Sequence, residues 1–467
     1  MTYQENLQDS AEEFDVVVVG GGPAGSAAAA LIAKQGHRVL LLEKEFFPRY
    51  QVGESLLPST VQGVCGLLGV TDELKRAGFT VKQGGTFLWG ASPEPWRFTF
   101  NDAFPDNPEP ITAFQVERMK FDEILLNNAR KLGVEVREGC TVTSAIDLSE
   151  RVRGVRYRDC DGVERTVRST FVVDASGNGS RLYRSVADNR DYSDFFKNIA
   201  LFGYYENGKR QPAPFAGNIL SATFEDGWFW YIPLSDALTS VGAVVRHDLA
   251  DRVQGDRAAA LEALIKKCPM VSEYLADATR VTEGPYGEVR VRKDYSYSAD
   301  RYWRPGMVLI GDAACFVDPV FSSGVHLATY SALLAARSIN SVLDGRVSEA
   351  AAFDEFESRY RHEYGNIYEF LVSFYDTHVD ESSYFWSAKK ITKYAAGDRE
   401  AFVRLVSGVS SGEGALGDWD SGNEMRFALS PEEMGGSRFL TEGSDLLGES
   451  AGNLLISDDG LFWVVPD

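Results

Sequence analysis

Three short blocks open the chain. Phe14–Val19 is an apolar run that ends in glycines, Ala24–Gln35 is Ala-rich with helical spacing, and Arg38–Leu42 is apolar again. That pattern predicts strand, helix and strand, the size of a βαβ unit with a parallel sheet and a right-handed crossover. Helices are expected over Leu56–Leu68, Val70–Ala77 and Arg118–Leu132. Strands are expected over Val134–Val136, Thr141–Leu148, Arg153–Arg158 and Arg165–Val173. From Asn198 to His247 the pattern turns alternating and aromatic, in Ile199–Tyr205, Asn218–Phe224, Trp228–Pro233 and Val241–Arg246, which predicts an antiparallel sheet. Arg257–Lys267 reads as a helix, Met307–Ile310 as a buried strand, and Ser323–Leu343 and Phe353–Phe374 as long helices.

Beyond about Gly408 the chain is rich in Gly, Ser and acids. Trp419, Phe427, Phe439, Leu446, Phe462 and Trp463 are candidate anchors for loops and short helices draped on the body. The expected organisation is a core over residues 1–345, with the antiparallel substrate layer inserted at about 195–300. A helical, acidic and Gly/Ser-rich region, 346–467, is expected to cover the substrate side. The fold class is α/β.

Composition adds exclusions. An apolar share of 44% and a charged share of 25% suit a globular chain of 467 residues. The net charge of −21 argues against nucleic acid and against an anionic membrane surface. Residues 407–467 hold twelve acids and two bases, so ten of those charges lie there. Five scattered cysteines and five histidines lack ligand spacing, so neither a disulfide framework nor a metal site is expected. No apolar run reaches membrane-spanning length. The polar N-terminus is unlike a signal peptide, and a cytoplasmic protein is expected.

Gly20-Gly21-Gly22-Pro23-Ala24-Gly25 is a GxGxxG placed between strand and helix. Gly20 permits the turn, Gly22 admits a pyrophosphate, and Gly25 lets helix and strand pack closely. The helix N-terminus supplies unpaired N–H groups. Glu43 ends the second strand, where an acid can accept both ribose hydroxyls. Two further strands end in chemistry: Val172–Gly177 carries Asp174, and Val308–Ala314 carries Gly311 and Asp312.

With these pieces the chain resembles the FAD-containing monooxygenase superfamily over roughly residues 14–345. The resemblance implies a glutathione-reductase-like FAD-binding Rossmann fold. It places Asp312 on the flavin ribitol, Gln115 and Arg118 toward the flavin phosphates, and Arg49 in a flavin-contacting segment. Only one GxGxxG is present, so no second nucleotide site is evident. Within the superfamily, Trp228-Phe229-Trp230-Tyr231-Ile232-Pro233 matches the WxWxIP signature of flavin-dependent halogenases. Phe46–Pro58 and Lys82–Gly90 resemble two more halogenase segments, the second bearing an essential lysine.

The resemblance implies several roles. Trp228, Trp230, Ile232 and Pro233 wall the flavin from the substrate. Lys82 polarises hypochlorous acid by hydrogen bonding or forms a chloramine. Ser323 and Gly324 bind chloride. It also implies FADH2 delivered by a separate flavin reductase. Tryptophan halogenases carry a glutamate where Phe321 stands here, which points instead to the branch acting on phenols and pyrroles. Many members of that branch act on arenes thioesterified to a carrier protein. Lys389, Lys390, Lys393 and Arg399 form one basic run that would suit an acidic carrier, though a solvated helix face is the favoured reading of it. The competing readings are an aromatic hydroxylase or prenyl reductase of the same superfamily, and a non-catalytic flavoprotein.

Overall fold

The protein is described from a computed structural model covering residues 12–89, 94–104, 107–147, 149–376, 398–409, 411, 413–416 and 454–466. The opening apolar blocks form strand Glu12–Val19, helix Pro23–Ala33 and strand Val39–Leu42. Val16–Val19 and Val39–Leu42 are continuous, buried apolar runs, as strands covered on both sheet faces require. Strand 12–19 pairs in parallel with Val39–Leu42 on one side and Glu164–Asp174 on the other. Glu135–Arg137 and Met307–Leu309 extend the parallel set outward. Thr141–Ala145 and Gly154–Arg158 add antiparallel strands to the first half of strand 164–174. Helix Ser323–Leu343 is nearly all buried and packs on helix 23–33.

Among the described residues the second sheet has nine strands, the long strand Arg190–Glu206 among them. It also recruits Gly84–Leu88 and Trp96–Thr99 from before that region and Cys315–Phe316 from after it. It is not purely antiparallel, since Ile219–Phe224 runs parallel to Gly84–Leu88. The layer is therefore woven from three parts of the chain, which a reading of local periodicity could not join.

The helix expected from Leu56 starts later. Leu56 N–H bonds the Phe114 carbonyl and Ser55 bridges Gln115, so Ser55 and Leu56 run along a neighbouring strand. Pro58 then leads into a π-helical turn, Ser59–Val64, and helix Cys65–Leu68.

The described parts of the C-terminal region go to two places. Helix Asp398–Val406 places Phe402 against Trp96, Phe98 and Phe321. The hairpin Leu455–Ile456 and Trp463–Val464 lies on helix 323–343. Trp463 is fully buried there, its indole N–H donating to Ser338 Oγ and its backbone N–H to Ser341 Oγ. Glu413 accepts both Arg337 Nη1 and Nη2 in a buried pair, so one acid of the charge-rich segment has a structural partner. Of the expected anchors, Phe462 and Trp463 are buried, while Trp419, Phe427, Phe439 and Leu446 lie outside the described residues.

Candidate functional site

The glycine turn has the predicted form. Gly20 has φ +103°, and a Cβ there would lie 2.5 Å from the Ala175 carbonyl oxygen. A Cβ on Gly25 would come within 1.9 Å of the Gly20 carbonyl oxygen, so only glycine lets the helix close on the strand. At Gly22 a Cβ would meet only Arg49 Nη2, at 3.4 Å, so a guanidinium hangs over the open mouth of the turn. Pro23 and Ala24 are buried in the first turn of the helix. Glu43 accepts the Gly21 N–H at 2.6 Å and the Glu45 N–H at 2.9 Å, which locks the end of its strand to the turn.

The Gly-Asp motif closes the other side. A Cβ on Gly311 would approach the Ala24 methyl at 3.2 Å, so the two motifs touch. The Asp312 carboxylate forms no hydrogen bond or ion pair among the described residues. Burial pushes it up to about 6 against the pull of Arg118, Arg190 and Arg292. Arg118 donates to both oxygens of Asp122 and to the carbonyls of Val52 and Gly53. Arg49 shares Asp122 at 2.7 Å, so one buried carboxylate orients both arginines.

Two further expected cofactor residues have hydrogen-bond partners within the chain. Asp174 is buried, and its carboxylate accepts from Ser176 N–H, Ser176 Oγ–H and Ser180 Oγ–H. It organises its own loop. Gln115 donates to the Gly217 carbonyl at 3.0 Å and lies in strand Ala113–Gln115, which pairs with the strand of Lys82. It therefore braces the strand of Lys82.

Lys82 ends strand Thr80–Lys82 and is 3% exposed. Its ammonium donates to Ser55 Oγ at 2.9 Å and to the Leu56 carbonyl at 3.0 Å, and lies 5.6 Å from the Phe100 ring centre. No acid pairs with it among the described residues, and burial lowers it to about 7.

Strand Gly227–Pro233 alternates as predicted. Trp228, Trp230 and Ile232 face the large core. Phe229 and Tyr231 face a second core under helix Arg257–Lys267. Pro233 closes the strand against Thr239. Trp230 donates to Ser240 Oγ at 3.1 Å and packs 5.5 Å from Phe202. Trp228 lies 6.1 Å from Trp89, and Trp89 lies 4.6 Å from Phe374. Phe321 joins this apolar surface, 4.7 Å from Phe374 and 5.8 Å from Phe87.

At the start of helix 323–343, Ser322 takes a left-handed conformation and Ser323 Oγ is buried without a hydrogen-bond partner. A Cβ on Gly324 would meet nothing within 4 Å, which leaves space beside the helix N-terminus. Asp318, five residues before, caps the Val320 N–H and accepts from Asn198 and Tyr375. Burial pushes it up to about 6.

Glu54 lies within the Phe46–Pro58 segment. It accepts the Tyr204 hydroxyl at 2.7 Å, and burial pushes it up to about 7. Its neighbour Ser55 holds Lys82, so the dipeptide links the lysine to the sheet. Of the basic run, Arg399 is tied to Asp102 and to the Arg97 carbonyl. Lys389, Lys390 and Lys393 lie outside the described residues.

A glycine turn with an arginine above it, a Gly-Asp motif with an uncommitted carboxylate, and a Trp strand beside a buried lysine define an FAD-dependent enzyme of halogenase type. Residues 15–110 and 106–428 match the tryptophan halogenase family, and the chain belongs to that family. It is 34% identical over 403 residues to the tryptophan 2-halogenase of Chondromyces crocatus, covering 84% of this chain and 75% of that one. Among solved structures it resembles the myxobacterial chondrochloren halogenase, an FAD-dependent halogenase, with 54% identity and a TM-score of 0.80. That match covers 97% of this chain and 100% of the other. The flavin-dependent brominase Bmp2 matches at 29% identity and a TM-score of 0.74, over 85% and 94% of the two chains. Membership sets aside the hydroxylase, prenyl reductase and non-catalytic readings. The cofactor is FAD and the co-substrate a halide. No helix among the described residues is long and apolar enough to cross a membrane.

Proposed function

We propose that this enzyme chlorinates an electron-rich phenolic or pyrrolic arene, using FADH2 delivered by a separate reductase. Gly20–Gly25, Arg49, Arg118 and Asp312 would hold the reduced FAD, which would supply, with oxygen, the oxidation of chloride to hypochlorous acid. Ser323 and Gly324 hold the chloride at the helix N-terminus, where N–H groups and the helix dipole favour an anion. The Trp228–Trp230 wall keeps the arene from the flavin.

Lys82 carries the chlorine. Burial lowers the lysine to about 7, which brings its neutral amine within reach near neutral pH. The amine nitrogen attacks chlorine, the Cl–O bond breaks, and the amine proton leaves with hydroxide as water. The N–Cl group then passes chlorine to the arene, and the ring proton returns to the same nitrogen. No carboxylate at position 321 is needed for that proton.

The observation that carries the substrate class is Phe321. It fills the position of the tryptophan-halogenase glutamate with a ring inside an aromatic cluster. A phenol, whose own ionisation activates its ring, fits such a surface. At 54% identity the chain is nearer to the chondrochloren halogenase than, at 34%, to the tryptophan 2-halogenase, which weighs against tryptophan as its substrate. The enzyme should be supplied with reductase, FAD and chloride, and offered phenols, pyrroles and indoles, free and carrier-tethered. Mass spectrometry is expected to show chlorinated phenol or pyrrole; chlorinated indole alone would refute the substrate class. Lys82→Ala is expected to abolish chlorination while flavin oxidation continues.

A further inference from the structure

Behind the halide-binding turn lies a hydrogen-bonded chain of three side chains outside the site described above. Ser59 Oγ meets His326 Nδ1 at 2.9 Å, and His326 Nε2 meets Glu363 Oε1 at 2.8 Å. Ser59, His326 and Glu363 are at most 1% exposed. The arrangement copies the order of a nucleophilic triad, but no substrate can reach it. Gly408 covers it: a Cβ there would lie 2.2 Å from Ser59 Oγ and 2.8 Å from His326 Nδ1.

What the chain of contacts joins is more telling. His326 is two residues past Gly324, in the first turn of helix 323–343. Ser59 is three residues past Leu56, whose carbonyl accepts Lys82. Glu363 lies mid-way along helix Glu349–Asp376. The imidazole thus connects the segment holding the lysine, the turn beside Gly324 and the helix behind both. Buried polar groups in an apolar core are costly, and their best-attested use is to fix register.

We infer that Ser59, His326 and Glu363 form a positioning device that sets the distance between the halide-binding turn and Lys82. His326 is a positioning residue, since it touches neither halide nor arene. The inference rests on the reading of Ser323 and Gly324 as the halide site. Loosening it moves the halide turn while leaving the flavin residues in place.

The test uses the full chain with a supplied reductase, reading the chloride KM, kcat at saturating chloride, flavin affinity and melting temperature. Ser59→Ala removes one arm. Gly408→Ala presses on the same contact from outside. Glu363→Gln keeps a hydrogen-bonding partner. The loss of one buried hydrogen bond is expected to raise the chloride KM about five- to tenfold in Ser59→Ala and Gly408→Ala. The expectation for kcat and flavin affinity is a change within about twofold, with Glu363→Gln near wild type. A lowered melting temperature with an unchanged chloride KM in the folded variants would overturn the inference. Gly324→Ala separates the two readings. If it leaves the chloride KM unchanged, the halide assignment fails. If it raises KM while Ser59→Ala and Gly408→Ala do not, only the positioning role fails. If Ser59→Ala does not fold, Gly408→Ala and Glu363→Gln decide.

Discussion

The Lys82 ammonium, enclosed by Ser55, the Leu56 carbonyl and the Phe100 ring with no carboxylate partner among the described residues, is the most informative group in the molecule. Burial disfavours its charge, so its proton leaves near pH 7 rather than near 10.5. If the neutral amine accepts chlorine, kcat rises as pH passes upward through about 7 and then levels off. A purely hydrogen-bonding ammonium would give the opposite slope. Lys82→Arg sharpens the test, because a guanidinium never deprotonates in this range; it is expected to be inactive at every pH. The same shift has a stability sign. Between about 7 and 10.5 the unfolded chain holds the proton and the folded chain does not, so this lysine's contribution improves with rising pH across that window. Lys82 was legible because its neighbours spell a motif. Glu54 and the Ser59–His326 contact were not, since nothing local marks which distant side chain a buried polar group will meet. Asp174 is similar: the sequence marks it as an acid ending a strand, and only the three-dimensional loop reveals that it accepts from Ser176 and Ser180.

At the level of elements, the glycine turn and the Trp strand had the clearest sequence signals and kept their form. Both depend on short-range geometry: a close approach of backbone at Gly20 and Gly25, and a period of two along 227–233. Gly25→Ala places a methyl on a backbone oxygen that cannot move without parting helix from strand. It is expected to yield protein that co-purifies without FAD, read as the absorbance ratio of flavin to protein. The antiparallel layer was legible as a type but not in extent. The pairing of 84–88 with 219–224 spans 134 residues between partners such as Gly85 and Ile219, and no periodicity reports such a neighbour. That parallel pairing matters, because it ties the segment after Lys82 to the strand beside the Trp wall.

For the whole molecule, the net charge of −21 had pointed to a surplus of acids near the C-terminus with no chemical account. One of them now has a physical role. Glu413 is fully enclosed with Arg337, which, against the upward push of burial, holds its carboxyl below the usual range. Breaking such a buried pair from one side costs about 3–5 kcal/mol. Arg337→Leu is therefore expected to lower the melting temperature strongly, and Arg337→Leu with Glu413→Leu to recover much of the loss. Trp463→Ala removes a fully buried indole and is expected to cost about 3–5 kcal/mol by urea titration.

The hairpin over helix 323–343 bears on synthesis as well as on stability. Its Trp463 reaches Ser338 and Ser341 across more than a hundred residues of intervening chain. During translation helix 323–343 is made well before that hairpin, so its packing against Trp463 is completed only once residues 455–464 are available.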